Sequence, residues 1–311
     1  RAVGEEVPAP VVERLGAMTR ALGVLGRPDG TLHLFNDAAQ GIAPPAGRLG
    51  RLARLALGIE TAAPSGMLEL RESGFLGWVD AGAGERLVID CGAPSPAYQP
   101  GHAHCGALGF ELDLLGRPAL VDSGCHGYEG DPFREYVRST RAHNTVAVGG
   151  REQSEVWGTF RVGRRAKVLE AAHSVGDGRY RFSGALRPFD GRGVHRRTIE
   201  RGADGWRVED RVDGAAGERV TAWLHFHPDW SVETRDGGAV ARCSGGEIAI
   251  DVFGADEVRV IRGERSPVQG WYCPEFGRAL PAAALELTVR ANDSRAFGCV
   301  LHSTEVLSPE S

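Results

Sequence analysis

Lysine is all but missing from this chain. Of 36 basic residues only Lys167 is a lysine, and the other 35 are arginine. A skew of that size follows genomic base composition, so arginine abundance alone marks no site. Nor is there a basic excess: 41 acidic residues leave a net charge of −5, which removes the electrostatic reason to expect nucleic acid. No run approaches the ~18 apolar residues that a membrane helix requires. None of the six cysteines stands in a CxxC pair, and a chain of 311 residues does not depend on a disulfide scaffold. They read as small buried residues, with Cys105 and Cys125 kept as thiolate candidates for their closeness to histidines. Tyrosine is absent before residue 66, and His33 is the only histidine there. Methionine is absent from position 1 and no signal peptide is visible, so the chain reads as a piece of a longer protein.

What is present falls into two parts. Val11, Leu15, Met18, Leu22 and Leu25 recur at helical spacing over 9–25, and "GRPDG" then stops the helix. A second helix is expected over about 47–58. From residue 66 the pattern turns to short alternating runs with turn signals between them. "FELDLLGRPALVD" folds on Leu-Gly-Arg-Pro, "NTVAV" closes on Gly149-Gly150, and "VHRRTIERGADGWRVEDRV" forms two strands around Ala-Asp-Gly. "VTAWLHFH", "EIAIDVF" and "ALELTVRA" follow. The expected fold is mainly β, a large antiparallel β-sandwich over 66–311 behind a short helical segment and linker over 1–65.

Chemistry concentrates around "GHAHCGALGF" at 101–110. On an extended strand His102 and His104 share a face, which suits a metal site, an acid/base pair or a polar strand entry. Downstream lie Asp122 in "ALVDSG", Tyr128 in "GCHGYEGD" and His143 in "RSTRAHNTV". His104, Asp122 and His143 make a donor set suited to Zn²⁺, with a position left for water or a neighbour. Each also has a plain reading: backbone hydrogen bonding for the histidines, turn formation for Asp122, a surface aromatic for Tyr128. His126 competes for the site, whereas His225 and His227 in "WLHFHP" read as structural.

The stretch "GHAHCGALGFELDLLGRPALVDSGCHGYEGDPFREYVRSTRAHNTVAVGGREQSE" resembles the β-sandwich signature of the heparinase II/III-like family of bacterial polysaccharide lyases. The matching elements are GHxH, GRPxLVDxG, a Tyr-containing loop, RSTxAHNTV and GREQS. The detailed match covers 101–155, and a looser one includes "RPDGTLHLFNDAAQG". The resemblance implies an N-terminal (α/α) toroid packed on the sandwich, with substrate in the cleft between them. It implies zinc on His104, Asp122 and His143, an active-site role for His102, and an active-site tyrosine at Tyr128, with Tyr136 as the alternative. One departure is Cys105-Gly106 where the family usually has Ala-Asp or a similar pair.

The expected activity is therefore β-elimination of a uronic-acid glycan at a zinc-stabilised site, in a periplasmic or extracellular setting. Arg134, Arg138 and Arg141 are candidates for gripping the substrate carboxylate. The expected partners are an acidic polysaccharide, the toroid domain missing from these residues, and a second copy in a homodimer; neither nucleic acid nor membrane is expected. The alternative is a non-catalytic carbohydrate-binding or polysaccharide-assembly module that keeps the zinc fold. A zinc hydrolase is disfavoured because no glutamate is placed as its base.

Overall fold

The computed structural model describes residues 7–60, 63–292 and 295–306. Helix α1 (Ala9–Leu25) has a proline in its first turn and ends at Gly26, whose N–H bonds back to Leu22 O. Helix α2 (Ala46–Leu57) closes on Gly58 at φ 69°, a left-handed cap that glycine adopts without strain. The sequence reading of both helices matches to within a residue. Between them, residues 26–45 form a long irregular segment that runs back onto the β-domain.

Five antiparallel strands in chain order form the first sheet: Gly66–Leu70, Phe75–Asp80, Glu85–Asp90, Phe110–Leu114 and Arg117–Leu120. An eight-stranded antiparallel sheet faces it, ordered Ser231–Arg235, Gly238–Cys243, Gly246–Phe253, Phe297–Glu305, Gly205–Asp213, Val194–Gly202, Arg179–Arg187 and Lys167–Gly176. A four-stranded sheet of Glu257–Arg262, Ala283–Arg290, Arg219–His225 and Val146–Val148 continues the first through a bridge between Leu120 and Phe226. The main core lies between these layers and includes Phe110, Leu112, Phe182, Trp206, Phe226 and Trp230. Each such side chain removed from water contributes ~1.5–3 kcal/mol.

Period-two alternation sets which groups enter that core. Along Gly205–Asp213, Trp206, Val208, Asp210 and Val212 are buried while Arg207, Glu209 and Arg211 are not. Asp210 is the polar member of the inward set, and its charge is matched there. It receives Arg197 through Nε and Nη2 at 2.8 Å each, and His195 Nε2 at 2.7 Å. The same guanidinium reaches Leu108 O at 2.8 Å and Asn144 O. A core ion pair thus props up the loop that carries His143.

A second buried charge group anchors residues 26–40. Arg27 Nε donates to Asp113 Oδ1 at 2.9 Å and Arg27 Nη2 to Glu111 Oε2. His33 Nδ1 lies 3.0 Å from the same Glu111 oxygen, and Leu34 N donates to Glu111 Oε1 at 2.6 Å. Burial opposes the Glu111 charge, but Arg27 and His33 outweigh it and hold its carboxyl down at about 2. Gln40 closes the segment on itself through Leu32 and onto the β-domain by Gln40 N to Pro274 O at 2.7 Å. Two elements escape the sequence reading. Residues 100–102 form a 3₁₀ turn instead of a strand entry, and Pro132–Arg138 is a short helix, α3, capped by the Asp131 side chain on Arg134 N at 2.8 Å.

Candidate active site

His102 and His104 converge without strand geometry. His102 ends the 3₁₀ turn with its side chain 49% exposed, while His104 is buried in the extended stretch that follows. Both rings meet one carboxylate that the sequence reading missed, Asp37. His102 Nδ1 lies 2.8 Å from Asp37 Oδ2, and His104 Nε2 lies 2.8 Å from Asp37 Oδ1. Arg134 forks onto both oxygens, with Nη2 3.1 Å from Oδ2, and the Cys125 thiol donates to Oδ1 at 3.3 Å. Burial works against the Asp37 anion, yet the hydrogen bonds from His104 and Arg134 hold its carboxyl well below the usual range. Burial also keeps His104 neutral, lowered to about 4 against the pull of Asp37.

Local sequence explains why Asp37 arrives there. Asn36 sits at φ 55°, a left-handed turn position that asparagine tolerates, and its Oδ1 accepts His104 N at 3.0 Å. "LFND" therefore delivers two adjacent side chains onto the "GHAH" stretch. The motif lay inside the quoted "RPDGTLHLFNDAAQG", but an acidic residue 65 positions before His102 carries no spacing signal of its own.

The second histidine pair is deeper. His143 Nδ1 lies 2.6 Å from Asp122 Oδ2, and the His143 and His104 rings are 5.4 Å apart. His104 Nδ1 and His143 Nε2 are buried without hydrogen-bond partners. A Cβ on Gly106 would come within 3.1 Å of His143 Cγ and Nδ1, so the Cys105-Gly106 departure lets the backbone lie flat on that ring. Among the described residues no three His, Cys, Asp or Glu side chains form a ready metal-holding group. Asp90, also unremarked in the sequence, is a buried neighbour of this pair, pushed up to about 7 mainly by burial.

Tyr128 is 37% exposed beside His102, with ring centroids 6.0 Å apart, and contacts Phe160 and Phe276 at 5.0 and 5.1 Å. Arg134 lies beneath its ring at 5.1 Å. Tyr136 is wholly buried, its hydroxyl 2.9 Å from Ser123 Oγ and 3.4 Å from Trp271 O. Two of the arginines do not reach solvent for substrate. Arg134 serves Asp37 and Thr159 O, and Arg138 is spent on the carbonyls of Ala103, Gly158 and Arg161. Arg141 is half-buried, its guanidinium over Tyr136. His126 stacks on Phe133 and faces Asp131 at 3.9 Å. His225 binds Arg141 O and is buried. Both candidate thiols are neutral donors: burial pushes Cys125 up to about 12 and Cys105 higher still, the latter bonded to Ser154 O.

The remaining motif residues hold this arrangement together. Glu152 of "GREQS" accepts Thr140 Oγ1 at 2.6 Å, and Gln153 donates to Ala107 O at 3.1 Å and Thr145 Oγ1 at 3.0 Å. Asn144 ties Phe110 O, Val121 O and His225 N. A family model described as "Heparinase II/III-like, C-terminal" matches residues 62–300. The chain belongs to that family.

The fold of this heparinase II/III-like chain is similar to solved polysaccharide lyases. Heparan sulfate lyase HepC from Pedobacter heparinus superposes with a TM-score of 0.74 at 18% identity, covering 97% of this chain and 48% of that one. A heparinase III gene product gives 0.74 at 17%, covering 96% and 47%. A further heparinase III gives 0.74 at 14%, covering 96% and 49%. The chain thus spans about half the length of these structures. No curated protein matches it. Among the described residues no helix is long and apolar enough to cross a membrane. Asp37 lies before the span the family model matches.

Proposed function

We propose that this chain is the β-sandwich half of a polysaccharide lyase that cleaves a uronic-acid glycan by β-elimination. The observation that carries the reading is the half-exposed His102, held at Nδ1 by Asp37 and standing beside the exposed Tyr128. In such a reaction a base takes the C5 proton and the C4–O bond breaks. The electron pair becomes the C4=C5 double bond, and the departing oxygen takes a proton. With Nδ1 engaged, His102 keeps Nε2 for the substrate, to accept the C5 proton or to neutralise the neighbouring carboxylate. Burial and the Asp37 charge push the Tyr128 phenol upward, so at neutral pH it remains protonated and fits the donor to the leaving oxygen. A helical domain beyond these residues would supply the opposite wall of the cleft and the remaining polar groups.

Zinc on His104, Asp122 and His143 belongs to the same proposal. The donor types suit the ion, and the unpartnered ring nitrogens of His104 and His143 are buried atoms with unmet capacity. When bound, zinc would cross-link three chain segments and fix the stretch after the 3₁₀ turn that ends at His102. Elemental analysis should find near-stoichiometric zinc, lost with thermal stability in His104→Ala and His143→Ala but kept in His102→Ala. Unchanged metal in the first two variants would remove the assignment.

The activity test is incubation of the full-length protein with heparan sulfate, hyaluronan and alginate, following the ultraviolet absorbance of the new C4=C5 bond. An unsaturated product is expected from one of them, abolished by His102→Ala. Retained glycan binding without product would make the protein a binding module instead, and a saturated end would mean hydrolysis.

A further inference from the structure

We propose that Asp37 is a positioning residue whose single carboxylate sets the tautomers of two histidines in opposite senses. The assignment follows from what an anionic carboxylate can do: it accepts and never donates. His102 Nδ1 at 2.8 Å and His104 Nε2 at 2.8 Å must therefore each carry the hydrogen. The bare nitrogens are then Nε2 on His102, whose side chain is half-exposed, and Nδ1 on His104, which is buried and has no partner. One ring keeps its lone pair at Nε2 and the other keeps its lone pair at Nδ1, inside the protein.

The carboxylate is itself held rigidly. Arg134 bridges both of its oxygens and is fixed in turn by Thr159 O, from Nε at 3.0 Å and Nη2 at 2.9 Å. The Cys125 thiol fills a further acceptor position on Oδ1. With Arg134 buried, the guanidinium has no solvent to swing into. A neutral imidazole left to itself favours the hydrogen on Nε2. His102 is thus held in its less favoured tautomer by a residue 65 positions upstream. The tautomers rest on the hydrogen-bond geometry and on the Asp37 anion that Arg134 pairs; only what His102 does with its free nitrogen rests on the lyase reading.

The test is the nitrogen NMR spectrum of the ¹⁵N-histidine-labelled chain in mildly alkaline buffer, with His102 assigned by its loss in His102→Gln. The native protein should show His102 protonated at Nδ1 with a bare Nε2, and Asp37→Asn should move it to the Nε2–H form. Asp37→Glu, which keeps a carboxylate, should retain the native signature. A native spectrum with the hydrogen on His102 Nε2 overturns the proposal, as does an unchanged His102 in both Asp37→Asn and Asp37→Ala, since the alanine removes every acceptor that an amide might still offer to one ring. Should Asp37→Asn fail to fold, the native spectrum and Asp37→Glu decide it. In the protein carrying its helical domain, Asp37→Asn should lower kcat by roughly 10²–10⁴-fold with KM nearly unchanged, the signature of a misdirected proton-transfer group. The expected tautomers without unsaturated product from any glycan would sink the lyase reading and leave the role of Asp37 standing.

Discussion

At the residue scale, two tyrosines that sequence leaves equivalent become opposites once folded. Tyr128 is exposed beside His102, whereas Tyr136 is enclosed with its hydroxyl on Ser123. Tyr128→Phe should leave the melting temperature unchanged and cut the proposed lyase turnover of the full-length protein by ~10²-fold or more. Tyr136→Phe should do the reverse, costing about 1–3 kcal/mol by leaving buried Ser123 underserved; paired melting and rate measurements separate the two. Gly106 makes a different residue-level point. Its absent Cβ leaves room for the His143 ring at the atoms that hold Asp122. Gly106→Ala should push that ring by a few tenths of an ångström and cost ~1–3 kcal/mol as an overpacked site, read as a lower melting temperature and, on the zinc proposal, weaker metal retention. His104, Asp122 and His143 were singled out in the sequence by donor type and by the family resemblance, and the structure brings the His104 and His143 rings to 5.4 Å with Asp122 on His143. Asp37 was not legible, because its pairing depends on a fold-back that no local pattern encodes.

At the element scale, periodic segments were readable and aperiodic ones were not. The 9–25 helix and the 194–213 hairpin announce themselves by periods of 3.6 and 2, and the structure keeps them. Helix α3 is only Pro132–Arg138, too short for periodicity to register, and "GHAH" turns instead of extending. The 26–40 segment has no period at all, yet the Arg27, His33 and Glu111 group fixes it to the first sheet. Glu111→Gln should cost roughly 3–5 kcal/mol as a broken buried pair. The acid limb of its stability curve should change as well. Because the folded Glu111 carboxyl is lowered from 4.5 to about 2, its contribution is whole above pH 4.5 and is lost as pH falls toward 2. Denaturant titrations across that window should show the variant losing about 1.4 kcal/mol per pH unit less than the native chain. Equal slopes would mean that Glu111 is not the charged anchor.

At the scale of the whole molecule, the proposed lyase site is one-sided in these residues. His102 and Tyr128 both come from residues 101–128, and the segment before residue 66 adds Asp37 but no tyrosine. On the lyase and zinc proposals, residues 1–311 alone should therefore fold and hold the ion yet show little or no lyase turnover, a deficit of at least the 10²–10⁴-fold that one acid–base group is worth. Robust formation of unsaturated product by these residues alone would mean that the sandwich holds a complete site.

The path of residues 26–40 also limits how this architecture recombines. A graft that takes only the portion matching the family, from residue 62 onward, would inherit both imidazoles and leave behind the acid that orients them. Arg134 would then face an empty acceptor position in the interior. Any graft of this sandwich onto another chain must carry "LFND" along with it, or supply an equivalent loop of its own. The natural cut for swapping therefore lies upstream of Arg27, inside what a reading by secondary structure would assign to the other half.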